Sequence, residues 1–211
     1  MKELLLRTLT GIALVVIVTG SIVLGPVSFS IVLLLVYFLG VRELYGLLEK
    51  RNLTNHWLRA IPGALFFPII YGIFQYKFSL FFLLLPPALW LLTALRGGIT
   101  LSGTLALLWL AIPLSSFFLL GWLDEEPGFQ FQIPLSVIAL IWINDTFAYL
   151  IGSLLGKHKM TPILSPGKTW EGFAGGFLVT LLAGWIFWNF SGLYSPFVWI
   201  GISLLVSSIG F

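Results

Sequence analysis

The stretch IPLSVIALIWINDTFAYLIGSLL, residues 133–155, carries a single charged side chain, Asp145, near its middle. At 1.5 Å per residue, a helix of this length is about 34 Å long, enough to cross a hydrocarbon core about 30 Å thick. A carboxylate at that depth costs about 2.5–3.5 kcal/mol on insertion scales, so we expect it to face a bundle interior or a water-filled cavity. The stretch therefore predicts a membrane helix with a functional polar group.

The rest of the chain has the same apolar character. Of its 211 residues, 59% are hydrophobic and 9% are charged, against roughly a quarter charged in soluble domains. Charges, prolines and glycines separate apolar runs and predict eight spans: about 9–24, 28–48, 61–76, 78–95, 103–122, 133–155, 172–190 and 196–211. We therefore predict an all-α, polytopic transmembrane helix bundle that forms one membrane domain over residues 1–211.

Two places in this pattern need comment. The first span follows Lys2 and Arg7 like a signal peptide, but Gly25-Pro26 leads directly into another apolar run, so we expect a retained helix. The Pro86-Pro87 pair lies inside the fourth span, where it predicts a kinked or re-entrant segment whose freed carbonyls must be covered by protein.

The basic residues predict the orientation, because cytoplasmic loops carry the excess of Lys and Arg. With a cytoplasmic N-terminus, Lys77 alone falls in an outer loop. The inner loops then hold Lys2, Arg7, Arg42, Lys50, Arg51, Arg59, Arg96, Lys157, Lys159 and Lys168. The acidic run 124–126 lies outside, and the loop 156–171 lies in the cytoplasm, where nucleotides are found. We expect a multi-pass protein of the cell (inner) membrane, with membrane lipids and no nucleic acid as partners.

Small and polar residues share one face of the sixth span with Asp145. Ala148, Tyr149, Gly152 and Gly156 follow it at helical spacing. The Gly152-x-x-x-Gly156 pattern allows another helix to approach closely, and such faces permit a homodimer.

The sequence contains no Cys. This absence excludes disulfides, thiolate metal sites and a cysteine nucleophile.

The residues beside Asp145 suggest an anion or cation site. Asn144 and Thr146 place two further oxygen-bearing side chains next to the carboxylate, an environment that suits Mg²⁺ or phosphate. Mg²⁺ needs only one or two protein carboxylates when phosphate oxygens and waters complete its octahedron. A structural hydrogen bond between helices is the alternative interpretation of Asp145.

The loop that follows, GKHKMTPILSPGKTWE at 156–171, combines lysines, hydroxyls and flexible glycine. Ammonium, hydroxyl and backbone N–H groups together can hold a polyphosphate. Ser165 or Thr169 is a candidate cap for the seventh helix. A Walker phosphate loop is excluded, since that pattern needs Gly where Pro162 stands. Membrane anchoring remains the simpler explanation of Lys157 and Lys159 alone.

The polar block as a whole resembles the bacterial phosphatidate cytidylyltransferases. The resemblance rests on NDTFAY at 144–149, GKHK at 156–159 and above all SPGKTWEG at 165–172. It implies transfer of a cytidylyl group from CTP to phosphatidate, giving CDP-diacylglycerol and pyrophosphate with Mg²⁺ or another divalent cation. By the resemblance, Asp145 and Lys168 are the catalytic candidates, with Asp145 also the metal ligand. The implied substrate-binding residues are Asn144, Ser165, Gly167, Lys168, Thr169 and Glu171.

One departure from the family pattern affects the expected activity. Members of the family continue into a Lys-Asp, His-Gly-Gly and Asp-Arg-x-Asp signature with further carboxylates, and this sequence ends at Phe211 without it. We therefore expect a chain that is incomplete at its C-terminus, and an inactive half-site if these residues are the whole polypeptide.

Two alternatives remain open at this point. A CTP-dependent polyprenol or phytol kinase would also need a nucleotide loop beside an intramembrane acid. An ion-coupled membrane transporter would use Asp145 to carry a proton or a cation.

Overall fold

The computed structural model of this chain describes residues 2–50, 60–97, 101–123, 128–162, 165–192 and 194–209. Helices dominate, and the strands found among these residues form one short hairpin. Two compact units are present, Met1–Pro134 and Leu135–Phe211. The single membrane domain predicted from the sequence stays a prediction.

The first unit contains short and long helices. In chain order these are α1 (Lys2–Val23), α2 (Pro26–Glu49), α3 (Ile61–Ala64), α4 (Phe66–Tyr76), a 3₁₀ turn (Leu80–Leu84), α5 (Leu85–Gly97), α6 (Leu101–Leu105), a π-helical segment (Ala106–Ala111), α7 (Ile112–Leu119) and a 3₁₀ turn (Leu120–Trp122). Gly25 separates α1 from α2 with φ of 113°, a conformation that favours glycine. Pro26 then occupies the first turn of α2, where its missing N–H removes no helical hydrogen bond.

The fourth predicted span is irregular, but not by a kink at its prolines. The 3₁₀ turn comes first, and α5 starts at Leu85. Pro86 and Pro87 therefore lie in the first turn of a new helix, where N–H groups lack intrahelical partners anyway.

The second unit contains the sixth predicted span and everything after it. Its elements are α8 (Gln132–Leu155, which begins at the end of the first unit), β1 (Lys159–Thr161), β2 (Ser165–Thr169), α9 (Trp170–Ser191) and α10 (Pro196–Ile209). Its core includes Leu140, Ala183 and Trp199, all buried. Gly184 of α9 faces Ser203 of α10, so the absence of a side chain allows these two helices to pack closely.

Four described helices are long and apolar enough to cross a membrane: Pro26–Glu49, Leu101–Trp122, Gln132–Leu155 and Trp170–Asn189. Four shorter apolar helices, Thr8–Val23, Ile61–Tyr76, Leu80–Leu95 and Pro196–Ser208, coincide with the other predicted spans. The all-α membrane class is confirmed, while the count of eight spans and the orientation stay predictions. Parts of these predictions lie outside the described residues: Arg51, Arg59, the run 124–126 and residues 210 and 211.

A buried tyrosine organises the core of the first unit. Tyr37 of α2 is fully buried and its hydroxyl donates a hydrogen bond of 2.5 Å to the carbonyl oxygen of Ala60. The ring packs with Val41, Ala106 and Ala111. The bond satisfies a hydroxyl that would be costly to bury alone, so it ties α2 to the segment that leads into α3.

Glycines allow α8 and α9 to approach closely within the second unit. A Cβ added to Gly176 would lie 2.9 Å from the Cβ of Ala148 and 3.0 Å from the carbonyl oxygen of Asn144. A Cβ on Gly152 would lie 3.0 Å from Oγ1 of Thr169. The close approach predicted from the glycine spacing of α8 is therefore confirmed.

We expect Gly176→Ala to destabilise the protein, because the new methyl group meets backbone and a rigid Cβ rather than a flexible side chain. Overpacking of this kind costs about 1–3 kcal/mol. The matched control is Gly201→Ala in α10, where nothing lies within 4 Å of the added Cβ. Thermal unfolding of both variants in detergent measures the difference. Equal midpoints would contradict the proposed steric requirement.

Candidate functional site

The loop predicted at 156–171 contains a small antiparallel hairpin. Lys159 of β1 lies opposite Thr169 of β2, and Thr161 lies opposite Ser165, with an irregularity between the two pairs. Sequence patterning missed these strands because β1 has three residues and β2 five, too few for a reliable alternation. The hairpin gives the lysine-rich segment a defined backbone.

Thr169 joins the hairpin to the seventh predicted helix. Its backbone is extended, with φ of −131° and ψ of 152°, and its Oγ1 accepts a hydrogen bond from the N–H of Gly172. This is the geometry of a helix N-cap. Of the two capping candidates predicted from the sequence, Thr169 is confirmed, and α9 begins at Trp170 rather than at residue 172.

A cavity of about 600 Å³ lies between the end of α8 and the hairpin. Its walls are formed by Asp145, Ala148, Tyr149, Gly152, Ser153, Gly156, Lys159, Ser165, Gly167, Lys168 and Thr169. The face of α8 predicted from helical spacing is therefore the face that lines this cavity. Five of the predicted site residues meet here: Asp145, Ser165, Gly167, Lys168 and Thr169.

The side chain of Asn144 is buried between α8 and α9 and does not line this cavity. Its side chain is 1% exposed, and its Oδ1 accepts a hydrogen bond of 3.3 Å from Oγ1 of Thr180 on α9. The same hydroxyl also lies 2.7 Å from the carbonyl oxygen of Gly176. Asn144 thus joins two helices, and its predicted contact with substrate stays a prediction.

Glu171 also lies outside the cavity lining. Its carboxylate accepts hydrogen bonds from the backbone N–H groups of Lys157, at 3.1 Å, and His158, at 3.2 and 3.3 Å. The Nδ1 atom of His158 lies 2.6 Å from Oε1 of Glu171. The predicted role of Glu171 in substrate binding stays a prediction, whereas its contacts place it at the base of the hairpin.

Lys159 is a cavity residue that sequence reasoning attributed to membrane anchoring. It lies in the wall together with Lys168, whereas Lys157, which is exposed like Lys159, is not part of that wall. Little in the sequence indicates that Lys159 lines the cavity, because only its pairing with Thr169 in the hairpin brings Lys159 toward Lys168. The two ammonium groups exceed the single carboxylate of Asp145 in charge, so the wall favours an anion.

The donor set in the cavity suits a cation that arrives with its own oxygen ligands. No cluster of three or more His, Asp or Glu side chains is found among the described residues. Asp145 is the one carboxylate in the described wall. One carboxylate is sufficient for Mg²⁺ when phosphate oxygens and waters supply the remaining ligands, so the residues present fit a magnesium–polyphosphate complex.

The sequence profile of the cytidylyltransferase family matches residues 5–211. Over 224 aligned residues the chain is 28% identical to the phosphatidate cytidylyltransferase of Bacillus subtilis (strain 168), covering 99% of this chain and 80% of that protein. No solved structure matches the chain.

Shorter alignments reach higher identity. The phosphatidate cytidylyltransferase of Staphylococcus aureus (strain COL) is 41% identical over 73 residues, which are 34% of this chain and 28% of that protein. For the Staphylococcus epidermidis enzyme of the same name the identity is 43% over 61 residues, 29% of this chain and 23% of that protein.

These matches favour nucleotidyl transfer over the kinase and transporter alternatives, for which the comparisons offer no support. The predicted C-terminal truncation stays a prediction. Since the family profile covers nearly the whole chain, the match does not depend on the short SPGKTWEG motif alone. The chain therefore belongs to the cytidylyltransferase family and is a nucleotidyltransferase, as the resemblance of its polar block predicted.

Proposed function

We propose that this protein transfers a cytidylyl group from CTP to phosphatidate, giving CDP-diacylglycerol and pyrophosphate in phospholipid biosynthesis. The observation that carries the proposal is the cavity in which Asp145 of an apolar helix faces the same space as Lys159 and Lys168 of the hairpin. A cavity that contains charged and hydroxyl side chains, beside membrane-length helices, suits one water-soluble polyphosphate and one lipid phosphate. The matched relatives bear the name of this activity.

The proposed reaction is an in-line displacement. A phosphate oxygen of phosphatidate attacks the α-phosphorus of CTP, and a new P–O–P bond forms. The bond between the α-phosphorus and the bridging oxygen breaks, and its electron pair leaves with pyrophosphate. No covalent intermediate on the protein is needed, so catalysis consists of positioning and of stabilising the charge on the leaving group.

The residues of the hairpin have separate tasks in this proposal. Lys168 and Lys159 contact the triphosphate, where ammonium groups stabilise the growing negative charge. Ser165 and the backbone at Gly167 donate hydrogen bonds to phosphate oxygens. Thr169 holds the start of α9 through its cap, which keeps the end of β2 in place.

Asp145 would hold Mg²⁺ together with water and phosphate oxygens. When bound, the ion would supply positive charge that stabilises the departing pyrophosphate. The carboxylate lies in the cavity wall. An ionisable side chain on an otherwise apolar membrane helix is expected to have a function, which supports this role.

The membrane setting is part of the proposal. We propose a multi-pass protein of the cell (inner) membrane with a cytoplasmic N-terminus, in contact with membrane lipids and able to form a homodimer. The four long apolar helices and four shorter ones support this topology. The orientation would place the hairpin on the side where CTP is available.

Asp145→Asn and Lys168→Ala in the full-length protein should each lower CDP-diacylglycerol formation by about 100-fold or more, because each removes a charge that acts on the reacting phosphates. The assay follows CDP-diacylglycerol and pyrophosphate from CTP and phosphatidate in detergent, with correct folding checked by thermal unfolding. Near-normal turnover in both variants would refute the assignment of the site. Release of CDP with a lipid phosphate would instead indicate the kinase.

Neighbouring lysines provide a sharper test. Lys159→Ala should raise the KM for CTP by about tenfold, because a cation is lost from the triphosphate subsite. Lys157→Ala is the matched control, since that side chain is likewise exposed but lies outside the cavity wall. Steady-state kinetics of the two variants measure the difference. Equal effects would mean that these lysines act only through general membrane-surface charge.

A further inference from the structure

Glu171 forms a compact set of hydrogen bonds at the base of the hairpin. One carboxylate accepts the backbone N–H groups of Lys157 and His158 and contacts Nδ1 of the His158 ring. Because a carboxylate has no proton to give, the imidazole donates through Nδ1. We call this set of contacts the Glu171 clamp.

The clamp joins two segments that are far apart in sequence. Lys157 and His158 follow the end of α8, whereas Glu171 lies in the first turn of α9. The backbone N–H of Trp170 adds a hydrogen bond of 3.0 Å to the carbonyl oxygen of His158. Both ends of the hairpin are therefore held at one point.

The segment that the clamp encloses contains both lysines of the cavity wall. Lys159 follows His158 directly, and Lys168 precedes the Thr169 cap by one residue. Both lysines line the cavity, and Glu171 does not. The positions of the two ammonium groups therefore depend on how the two ends of the hairpin are held together, and the hydrogen bonds to the Glu171 carboxylate hold them.

The chemistry of the clamp favours a carboxylate at this position. Hydrogen bonds to an ionised acceptor are roughly twice as strong as neutral ones, and a negative charge in the first turn of α9 is stabilised by the helix dipole. The Glu171 side chain as a whole is 27% exposed. A neutral amide would keep an acceptor oxygen but lose the charge that strengthens every one of these contacts.

We propose that Glu171 is a positioning residue that acts through the Glu171 clamp to hold Lys159 and Lys168 in place for the triphosphate, rather than a ligand of metal or substrate. This inference rests on the proposed function for the identity of the triphosphate. The clamp itself is a property of the described structure and can be tested without any activity.

The first test measures hydrogen exchange of the segment 156–160 in the full-length protein. Glu171→Ala should speed exchange of the backbone N–H groups of Lys157 and His158 by about tenfold or more, since their acceptor is lost. Glu171→Gln should have a smaller effect. Lys157→Ala is the control, because it keeps its backbone N–H. Unchanged exchange in Glu171→Ala would overturn the proposal.

The second test separates positioning from ligation by kinetics. In Glu171→Gln and His158→Ala the KM for CTP should rise by about three- to tenfold with a smaller change in kcat, because binding groups are displaced but retained. The Mg²⁺ concentration for half-maximal activity should stay within about twofold of wild type. A large shift of that Mg²⁺ requirement in Glu171→Gln would identify a metal ligand and overturn the proposal, as would faster exchange with unchanged kinetics.

The failure of either proposal can be recognised separately. A wild-type protein that forms no CDP-diacylglycerol would refute the proposed function and, with it, the positioning of lysines for CTP. An active wild-type protein whose Glu171→Ala variant shows unchanged exchange would refute the clamp alone.

Discussion

The close approach of α8 to the start of α9 is the constraint on which the candidate site depends. Gly152 and Gly156 have no side chains at the point where Thr169 packs against the end of α8. A Cβ on Gly156 would lie 2.7 Å from Oγ1 of Thr169. Because Thr169 ends β2 and also caps α9, its position sets both the hairpin and the helix that follows. Small residues on α8 are therefore a geometric requirement of the cavity, beyond their usual role of allowing helices to pack in a membrane.

The charged side chains near this contact leave the cavity wall with an excess of positive charge. Lys159 and Lys168 line the cavity together with one carboxylate, that of Asp145. The other nearby acid, Glu171, makes hydrogen bonds with backbone N–H groups and a histidine at the base of the hairpin. A second carboxylate in the wall would cancel the excess positive charge. Because the carboxylate of Glu171 lies outside the wall, the cavity keeps an excess of positive charge that attracts a polyphosphate.

Much of the fold was predictable because a bilayer limits what a chain can do. Apolar runs in lipid must form helices, and the apolar helices lie where hydropathy and Gly/Pro breaks predicted them. The cavity-lining face of α8 followed from helical spacing, and Thr169 was among the capping candidates. The hairpin was not predicted, and neither were the contacts of Glu171, because both depend on pairing between residues 4 to 14 positions apart in a segment with mixed polarity.

The sequence by itself determined the membrane class, the position of Asp145 in the middle of an apolar helix and the family to which the polar block points, since each depends on local composition or on a contiguous motif. Tertiary structure alone decided which polar residues share a cavity. It turned Asn144 toward Thr180, brought Lys159 into the wall and placed Glu171 on the hairpin base. Adjacent residues on a helix point in different directions, and distant ones meet through strand pairing, so neighbourhood in sequence could not reveal neighbourhood in space.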